Sequence, residues 1–280
     1  TRHSRVLNCE EREPVDVRVE VDGVVARVLI DRPTAMNALS PAVLAELRDA
    51  FEVAARKGCS VLVLRGAGGT LSAGADLKYL ETILGDEAAV TGYLVEIGAM
   101  IDALEAGPFV SVAVVEGYAL AGGCEILLGC DLAVVSADAR IGDRHLEYGL
   151  LPGAGGSVRL PRALPGALAR RLLYTGEMID GATAFDWGLV SHVAAPAELE
   201  QTLEQLLARL SRHSGAALAG QKRLYRASID TPVAEALVAE RATLVDHLRH
   251  SSAAAEGLAA FRSGRAPDFR PDSTGEGNRA

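Results

Sequence analysis

The sequence predicts an α/β fold in which a layered core of strands and helices carries a helical C-terminal part. Runs rich in β-branched residues at 60–64, 109–115 and 132–135 have the composition of buried strands. Helical patterns separate these runs, whereas the chain is mostly helical from about residue 168 onward. Because strand and helix alternate first and helices follow, we expect a β/α core with a helical extension and no sharp linker between them.

The chain has 280 residues, of which 49% are hydrophobic, so it can bury a full core. We divide it into four parts. A polar, charged arm spans residues 1–14, the core spans 15–195, a helical region spans 196–269, and a flexible tail spans 270–280.

A hairpin is the first predicted element of the core. Two strand-like runs at 15–21 and 24–30 flank Asp22 and Gly23, and the first run alternates strictly between apolar and polar residues. Asp-Gly between two such runs favours a type I′ turn.

A capped helix follows the loop at residues 31–39. Ser40 and Pro41 are the residue types that favour the N-cap and the first helical position, and Gly58 is the type that ends a helix. Apolar residues recur between them at the helical period. They are Val43, Leu44, Leu47, Ala50, Phe51 and Ala54.

A glycine-rich loop at 66–78 follows the strand at 60–64 and leads into a short helix that we expect to reach about Leu80. It is not a Walker A phosphate loop, because no Gly-Lys-Ser/Thr stands at the required spacing. No dinucleotide-binding G-x-G-x-x-G lies between a strand and a helix either. Residues 86–106 then have the pattern of an amphipathic helix.

Residues 117–131 are the stretch around which the chain is organised. They follow the strand at 109–115, and paired glycines precede an apolar segment, so we predict a strand, a glycine turn and a helix. The first amides of a helix have no intrahelical partner and can bind negative charge. Glu125 lies three residues after Gly122, on the same helix face. The sequence therefore predicts an anion-binding amide beside a carboxylate.

The remaining elements are shorter. After the strand at 132–135, a loop runs through His145 to a glycine-rich segment at 153–156 that we expect to enter a helix. The elements expected after it are a helix ending near Gly176, a helix at 182–187, a strand at 189–193 and three or four helices within 197–263.

Composition and charge exclude several classes of function. The formal net charge is −9 and no basic stripe is present, so we expect no nucleic-acid binding. Four cysteines show neither a C-x-x-C pair nor a neighbouring histidine at zinc-ligand spacing, so we expect no metal site and reduced thiols. No run of about 18 apolar residues occurs, so we expect no membrane partner and a cytoplasmic protein.

Several motifs, taken together, resemble a known family. They are residues 31–39 (DRPTAMNAL), 72–78 (SAGADLK), 117–125 (GYALAGGCE), 149–156 (GLLPGAGG) and the segment from Thr175-Gly176 through Ala184 to Gly188-Leu189-Val190. In order and spacing, from about residue 15 to Phe269, they are similar to the crotonase (enoyl-CoA hydratase/isomerase) superfamily. The resemblance implies a crotonase-like spiral of ββα units, a C-terminal helical trimerisation region, and a homotrimer or a hexamer built as a dimer of trimers.

The same resemblance implies an acyl-CoA substrate, as in fatty acid metabolism, and no cofactor beyond the coenzyme A that belongs to the substrate. The oxyanion hole of the family would be the backbone amides of Ala75 and Gly122. Glu125 matches one of two glutamates that act as acid and base in the family's hydratases. The other glutamate is expected within 142–149 (GDRHLEYG), where His145 occupies its position.

Further site residues are weaker candidates. Glu147 could act as a substitute acid or could pair with Arg144, and Asp143 ranks below it. Arg32 is a candidate partner for coenzyme A phosphates. The coenzyme A contacts implied by the resemblance are Ala38, Ala73, Asp76, Leu77, Lys78 and Arg265.

The expected reaction is hydration of a 2-enoyl-CoA, with Glu125 acting on water and His145 on the α-carbon proton. The alternatives within the superfamily are double-bond isomerisation, decarboxylation of a malonyl-type CoA and hydrolysis of a carbon–carbon bond, which use the same oxyanion hole. A non-catalytic protein that binds CoA esters is a further alternative from a different class.

Overall fold

The computed structural model describes residues 15–229 and 231–269, and the structural statements below concern these residues. The arm predicted for 1–14 and the tail predicted for 270–280 lie outside them. The strands are β1 (Val17–Asp22), β2 (Val25–Ile30), β3 (Val61–Gly66), β4 (Thr70–Ser72), β5 (Val110–Val115), β6 (Tyr118–Leu120), β7 (Leu132–Ser136), β8 (Arg140–Gly142), β9 (Ile179–Asp180) and β10 (His192–Ala194). The helices are α1 (Pro41–Arg56), α2 (Leu77–Ile83), α3 (Glu87–Ala106), α4 (Gly122–Gly129), α5 (Gly156–Ala163), α6 (Gly166–Thr175), α7 (Gly181–Asp186), α8 (Leu199–Leu210), α9 (Gly215–Ile229), α10 (Val233–His250) and α11 (Ser252–Ser263).

The strands form two sheets. A six-stranded sheet has the order β1-β2-β3-β5-β7-β10, and only its first pair is antiparallel. A four-stranded sheet has the order β4-β6-β8-β9, in which β4, β6 and β8 are parallel. The units of strand, strand and helix that begin at β3, β5 and β7 place their first strand in the larger sheet and their second in the smaller one. This repeat is the ββα arrangement that the family resemblance implied.

The N-terminal hairpin is present, but its turn differs from the predicted one. Asp22 pairs with Val25, so the two-residue loop is Gly23-Val24 rather than Asp22-Gly23. Within the turn only Gly23 has a positive φ, of 57°. A positive φ at the first turn residue alone is the type II′ pattern, so the prediction of a type I′ turn was wrong. Both primed turns fit the twist of the flanking strands, which is why the hairpin itself was predicted correctly.

Helix α1 confirms the predicted capping. The Ser40 hydroxyl accepts a hydrogen bond from the Val43 amide, Pro41 opens the helix, and Gly58 has a φ of 71° just beyond its end. All the apolar residues of its predicted core face are buried. An amphipathic pattern of this length is a strong signal because packing of one face supplies most of a helix's stability.

Both faces of the six-stranded sheet are covered, which explains its continuous apolar runs. One face belongs to the larger hydrophobic core with α1, α3 and α4. The other face packs on α8. Along β5 the side chains alternate between the two: Val112 and Val114 face α8, whereas Ala113 and Val115 face the larger core.

Helix α9 is tied to the core through a buried lysine. Lys222 donates hydrogen bonds from Nζ to the carbonyl oxygens of Leu104 and Phe109, at 2.8 and 3.0 Å, and forms an ion pair of 2.7 Å with Asp131. The Asp131 carboxylate also accepts hydrogen bonds from the amide and hydroxyl of Ser111. The buried ammonium group therefore has hydrogen-bond and charge partners, and it connects α9 of the helical region to β5.

The short strands β4 and β6 were expected as loop and turn. Three residues are too few to show the apolar alternation by which a strand is recognised. Among the described residues, every element after β10 is helical, as the division at residue 195 anticipated. No helix within residues 15–229 and 231–269 is both long enough and apolar enough to cross a membrane.

Candidate active site

The candidate site lies where three neighbouring parallel strands end. Strands β4, β6 and β8 run side by side in the smaller sheet, so their carboxyl ends meet at one edge. The turn after β4 carries Ala75, the turn after β6 carries Gly122, and the turn after β8 carries Asp143 and His145. Ligand sites in parallel sheets form at such edges, because the turns there converge.

The turn after β4 is held by a buried polar network. The Ser72 hydroxyl donates to the carbonyl of Asn37 at 2.8 Å and accepts from the amide of Gly74 at 3.0 Å. Asn37 is fully buried, and its side-chain nitrogen donates to the carbonyls of Ala67 and Thr70. Because these buried polar groups satisfy one another, the turn is fixed in one conformation.

Tyr93 joins this turn to the segment before α1. Its buried hydroxyl donates to the carbonyl of Leu39 and accepts from the amide of Asp76 at 2.8 Å. The amide of Leu39 donates in turn to the carbonyl of Gly74, at 2.8 Å. Burial raises the pKa of Tyr93 to about 12, so the phenol stays protonated and keeps its donor. Ala75 is therefore anchored on both sides.

The turn after β6 contains a strained residue. Ala121 has a φ of 48° and a ψ of −118°, and its amide donates to the carbonyl of Gly142 in β8 at 3.0 Å. A non-glycine residue at positive φ costs about 1–3 kcal/mol, and such strain persists only where the surroundings impose it. Ala121 is the N-cap of α4, so its conformation sets the direction of the Gly122 amide.

Gly74 and Gly122 lie in direct backbone contact. A methyl group on Gly74 would lie 2.6 Å from the Gly122 nitrogen, and one on Gly122 would lie 2.8 Å from the Gly74 α-carbon. One on Gly123 would lie 1.9 Å from the Ser72 carbonyl oxygen. No side chain fits between the two turns, so the paired glycines are required by close approach.

The amides of Ala75 and Gly122 remain available. Neither donates a hydrogen bond to another of the described residues. Both residues line one cavity of about 1140 Å³, together with Glu125 and His145. Fixed amides on a cavity wall can stabilise a developing oxyanion, which is the role that the family resemblance implied for this pair.

Glu125 is buried at the wall of the cavity and is 2% exposed. Its Oε1 accepts hydrogen bonds from the amides of Ala154 and Gly156, at 3.0 and 2.8 Å. Burial raises the pKa of Glu125 above its ordinary value, against the opposing effect of these two amides and of His145. A carboxyl group with a raised pKa at a cavity wall is suited to proton transfer.

The loop that holds Glu125 has its own support. Arg159 donates from Nη1 to the carbonyl of Ala154 at 2.8 Å and from Nε to Glu105 at 2.7 Å. Gly155 has a φ of 111°, and a methyl group there would collide with the Arg159 guanidinium at 1.9 Å. The glycine-rich segment at 153–156 is thus a carboxylate-binding turn that enters α5, which confirms the predicted helix entry.

His145 pairs with Asp143. Its Nδ1 lies 3.0 Å from the Asp143 Oδ1, and the two side chains are 13% and 3% exposed. Burial acts to lower the pKa of His145, but the hydrogen bond with Asp143 and the charges of Asp143 and Glu125 together raise it above 6.5. The structure thus brings Glu125 and His145 to one cavity and adds Asp143 behind the imidazole.

Glu147 is not among the described residues that line this cavity. Its carboxylate is 43% exposed and pairs with Arg144 at 3.3 Å. Of the two roles considered for Glu147, pairing with Arg144 is the one that the structure contains. The short 3₁₀ turn at His145–Tyr148 directs the two side chains differently, so that His145 lines the cavity and Glu147 is exposed.

Most of the residues expected to contact coenzyme A line the same cavity as Glu125 and His145. Asp76 lines the cavity but also caps α2 and pairs with Arg32 at 3.2 Å. Lys78 lines the cavity with no ion pair among the described residues. The expected residues found on the cavity wall are Ala38, Ala73, Asp76, Leu77 and Lys78.

Arg265 is not part of this set. Both terminal nitrogens of its guanidinium bind the Glu256 carboxylate, at 2.6 and 2.8 Å, and Arg265 is not among the described residues that line the cavity. The bidentate pair occupies the terminal nitrogens that would bind phosphate, and the expected contact of Arg265 with coenzyme A stays a prediction. Within residues 15–229 and 231–269 no cluster of His, Cys, Asp or Glu could hold a metal ion.

Sequence reasoning missed Tyr93 and underrated Asp143. Tyr93 reads as one more apolar position of α3, because nothing local shows that its hydroxyl reaches two other segments. For Asp143 a signal was available, since Asp-x-His puts a carboxylate and an imidazole within reach when the intervening residue adopts a left-handed turn. Arg144 does so, with a φ of 57°.

Comparison with known proteins agrees with the geometry. The profile of the family described as Enoyl-CoA hydratase/isomerase matches residues 20–272. A probable enoyl-CoA hydratase of Rhizobium meliloti is 34% identical over 90% of this chain and 96% of its own length. A crotonyl-CoA hydratase of Syntrophomonas wolfei is 34% identical over 70% of this chain and 75% of its own length.

The chain is also similar to solved structures of enoyl-CoA hydratases. The crystal structure of an enoyl-CoA hydratase from a Polaromonas species superposes with a TM-score of 0.85 at 30% identity, covering 91% of this chain and 99% of the other. An enoyl-CoA hydratase from Bacillus anthracis has a TM-score of 0.84 at 28% identity, covering 91% and 99%. The similarity therefore extends over the core and the helical region alike.

The bridging role of Tyr93 gives the first prediction. Tyr93→Phe removes the hydroxyl and leaves the buried Asp76 amide without an acceptor and the Leu39 carbonyl without a donor. We expect the free energy of unfolding in urea to fall by about 1–3 kcal/mol. Tyr174→Phe, at a side chain that is 71% exposed, is the control and should change it by less than about 0.5 kcal/mol. Equal effects from both variants would contradict the bridging role.

Proposed function

The chain belongs to the enoyl-CoA hydratase/isomerase family, and from that premise we propose that it hydrates a 2-enoyl-CoA thioester. The observation that carries the proposal is the shared cavity. One wall combines two available amides, the buried carboxylate of Glu125 and the imidazole of His145. This set supplies both requirements of the reaction, which are stabilisation of an enolate and movement of two protons.

The thioester oxygen would bind between the amides of Ala75 and Gly122. Attack on the double bond moves negative charge onto that oxygen, and two fixed donors stabilise it without reorganisation at the moment of reaction. One such donor contributes about 3 kcal/mol to transition-state stabilisation. The contact between Gly74 and Gly122 supports this role because it fixes the spacing of the two turns.

The proton transfers would divide between the two side chains. Ionised Glu125 takes a proton from water while the hydroxide adds to the β-carbon, and protonated His145 gives a proton to the α-carbon. The proton held by Glu125 then returns to His145 through solvent in the site. The Ala154 and Gly156 amides, both on the Glu125 Oε1, orient the carboxylate for this task.

Coenzyme A would lie along the wall formed by residues 73–78. Lys78 and Arg32 both line the cavity and are the nearest candidates for its phosphates, although Arg32 is already shared with Asp76 and Asp16. The bidentate pair with Glu256 leaves Arg265 out of this proposal.

The hydration mechanism predicts the effects of three matched glutamine variants. Glu125→Gln and His145→Gln should each lower kcat for hydration of crotonyl-CoA by about 10²–10⁴-fold, because each removes one proton-transfer group. Glu147→Gln, two residues from His145 and paired with Arg144, should stay within about twofold of the wild type. The measurement is loss of the conjugated double bond, with the product mass checked for the addition of water.

Three results would count against this mechanism. Full activity in Glu125→Gln would remove the proposed base. An unchanged product mass would indicate isomerisation or no turnover, and loss of carbon dioxide from a malonyl-type CoA would indicate decarboxylation instead.

The pH dependence follows from the two pKa shifts. The active form needs Glu125 ionised and His145 protonated, and the pKa of each group lies above its ordinary value. Activity should therefore rise through the pKa of Glu125 and fall as the pH passes the pKa of His145, above 6.5. A profile of kcat/KM in the wild type measures the two apparent values, which belong to the coupled pair.

His145→Gln is the control for the alkaline limb of the profile. Its residual activity should no longer fall in the pH range where the wild-type rate is lost to deprotonation of the imidazole. If the same alkaline limb survives in His145→Gln, another group is the acid.

We also propose that the chain assembles as a trimer, or as a hexamer of two trimers, through its helical region. Helix α10 has no buried residue, yet it presents six large apolar side chains that are 44–76% exposed. They are Val233, Leu237, Val238, Leu244, Val245 and Leu248. Exposed apolar area of this kind favours association.

Light scattering on the purified chain tests this assembly. We expect a mass of three or six times the chain mass of 29.3 kDa. A mass of one chain at micromolar concentration would contradict it.

A further inference from the structure

Asp143 is a buried acidic side chain whose surroundings give it a specific task. It is 2% exposed and follows β8 directly. Its Oδ1 lies 3.0 Å from the His145 Nδ1, whereas its Oδ2 is buried without a hydrogen-bond partner among the described residues. That second oxygen lies against Gly156, where a methyl group would be 2.7 Å away. A buried carboxylate with one unpaired oxygen is costly unless a positive charge lies beside it.

The turn between the two residues creates their contact. Arg144 adopts a left-handed φ of 57°, which folds the chain back so that residues 143 and 145 face each other. The Arg144 guanidinium is directed away from the imidazole, to the carbonyl of Gly176 at 3.1 Å and to Glu147 at 3.3 Å. The contacts of Arg144 with Gly176 and Glu147 thus hold the strained turn. The turn places the Asp143 carboxylate against Nδ1 of the imidazole.

This contact fixes the tautomer of His145. An ionised carboxylate only accepts hydrogen bonds, so the Nδ1 of His145 must carry the proton that Asp143 binds. The exchangeable site is then Nε2, which carries a proton only in the imidazolium form. His145 lines the cavity, so proton exchange between the imidazole and the cavity is assigned to Nε2.

We propose that Asp143 is the positioning residue of this site, which holds His145 as an imidazolium with Nε2 as its proton donor. The proposal rests on the proposed function for the identity of the proton acceptor but not for the pairing itself. A glutamate in place of His145 would have to be neutral to give a proton. An imidazolium between two carboxylates gives one while Glu125 stays ionised.

The other groups around His145 are consistent with this charge assignment. Glu125 approaches from α4 and adds a second negative charge. Cys124, also on α4, is buried beside Asp143 and Glu125, and burial together with these charges raises the pKa of its thiol, so the thiol stays neutral. Tyr148 lines the same cavity, and Arg144 and Glu147 pair with each other. No cation among these groups is directed at the imidazole.

The test combines a spectroscopic and a kinetic measurement. The NMR chemical shifts of the imidazole nitrogens report both the tautomer and the titration of His145 in the wild type. The His145 signals are identified by their absence in His145→Gln. We expect the neutral form to carry its proton on Nδ1. Asp143→Asn should lower the pKa of His145 and move the alkaline limb of kcat/KM to lower pH. It should lower kcat for crotonyl-CoA by at least about tenfold, with KM within about twofold.

The control is an exposed Asp–His pair with the same distance between carboxylate and imidazole. Asp246 and His250 lie on the surface of α10 with the same 3.0 Å between Oδ1 and Nδ1. Asp246→Asn should leave kcat, KM and the His145 titration unchanged.

The possible outcomes separate the two proposals. A neutral His145 with its proton on Nε2 in the wild type would overturn the positioning role, and this measurement needs no variant to fold. Unchanged titration of His145 in a folded Asp143→Asn would do the same. If the spectroscopic result holds while the wild type does not hydrate crotonyl-CoA, the pairing stands and the proposed reaction fails.

Discussion

The backbone contact between Gly74 and Gly122 is the constraint on which the site depends. Parallel pairing of β4 with β6 brings the two turns together, and the absence of side chains lets them touch. The polar network of Asn37 and Ser72 holds one turn, while the strained Ala121 orients the other. Two amides therefore face one cavity, held there by the glycine contact and by the buried polar side chains beside it. Strain at Ala121 is tolerated because the surrounding pairing supplies the stabilisation that offsets it.

Charge balance is the second constraint on the site. Two carboxylates and one imidazole lie in a region where solvent is largely excluded, since Glu125 and Asp143 are each 2% exposed. With His145 protonated the cluster carries one net negative charge, and with His145 neutral it carries two. Low-dielectric surroundings favour the smaller net charge, so the cluster retains its proton to higher pH. In the proposed mechanism, His145 as acid and Glu125 as base can then be present together because their charges differ in sign.

The sequence predicted the long elements better than the short ones. Helix α1 and the hairpin were evident because a period sustained over many residues reflects burial of one face. Glu125 beside an amide followed from spacing along a strand, a turn and a helix, whereas His145 followed from the family resemblance. Strands of three residues carry no such period, and Tyr93 acts through contacts with Leu39 and Asp76 that are distant in the chain. The pairing of Arg265 with Glu256 could not be predicted for a similar reason, because it depends on the fold of the C-terminal helices.

Different parts of the site are built in ways that allow them to change separately. The amide pair is held by backbone pairing between strands together with the buried side chains of Asn37, Ser72 and Tyr93. His145 instead lies on the turn after β8, where Arg144 is the non-glycine residue with a positive φ, whereas Glu125 lies on α4. Replacing a carboxylate by an imidazole at residue 145 requires one additional acceptor, and Asp143 provides it from the same turn. The groups that face the two amides can therefore differ on this one turn, while the backbone contact between the turns after β4 and β6 stays as it is.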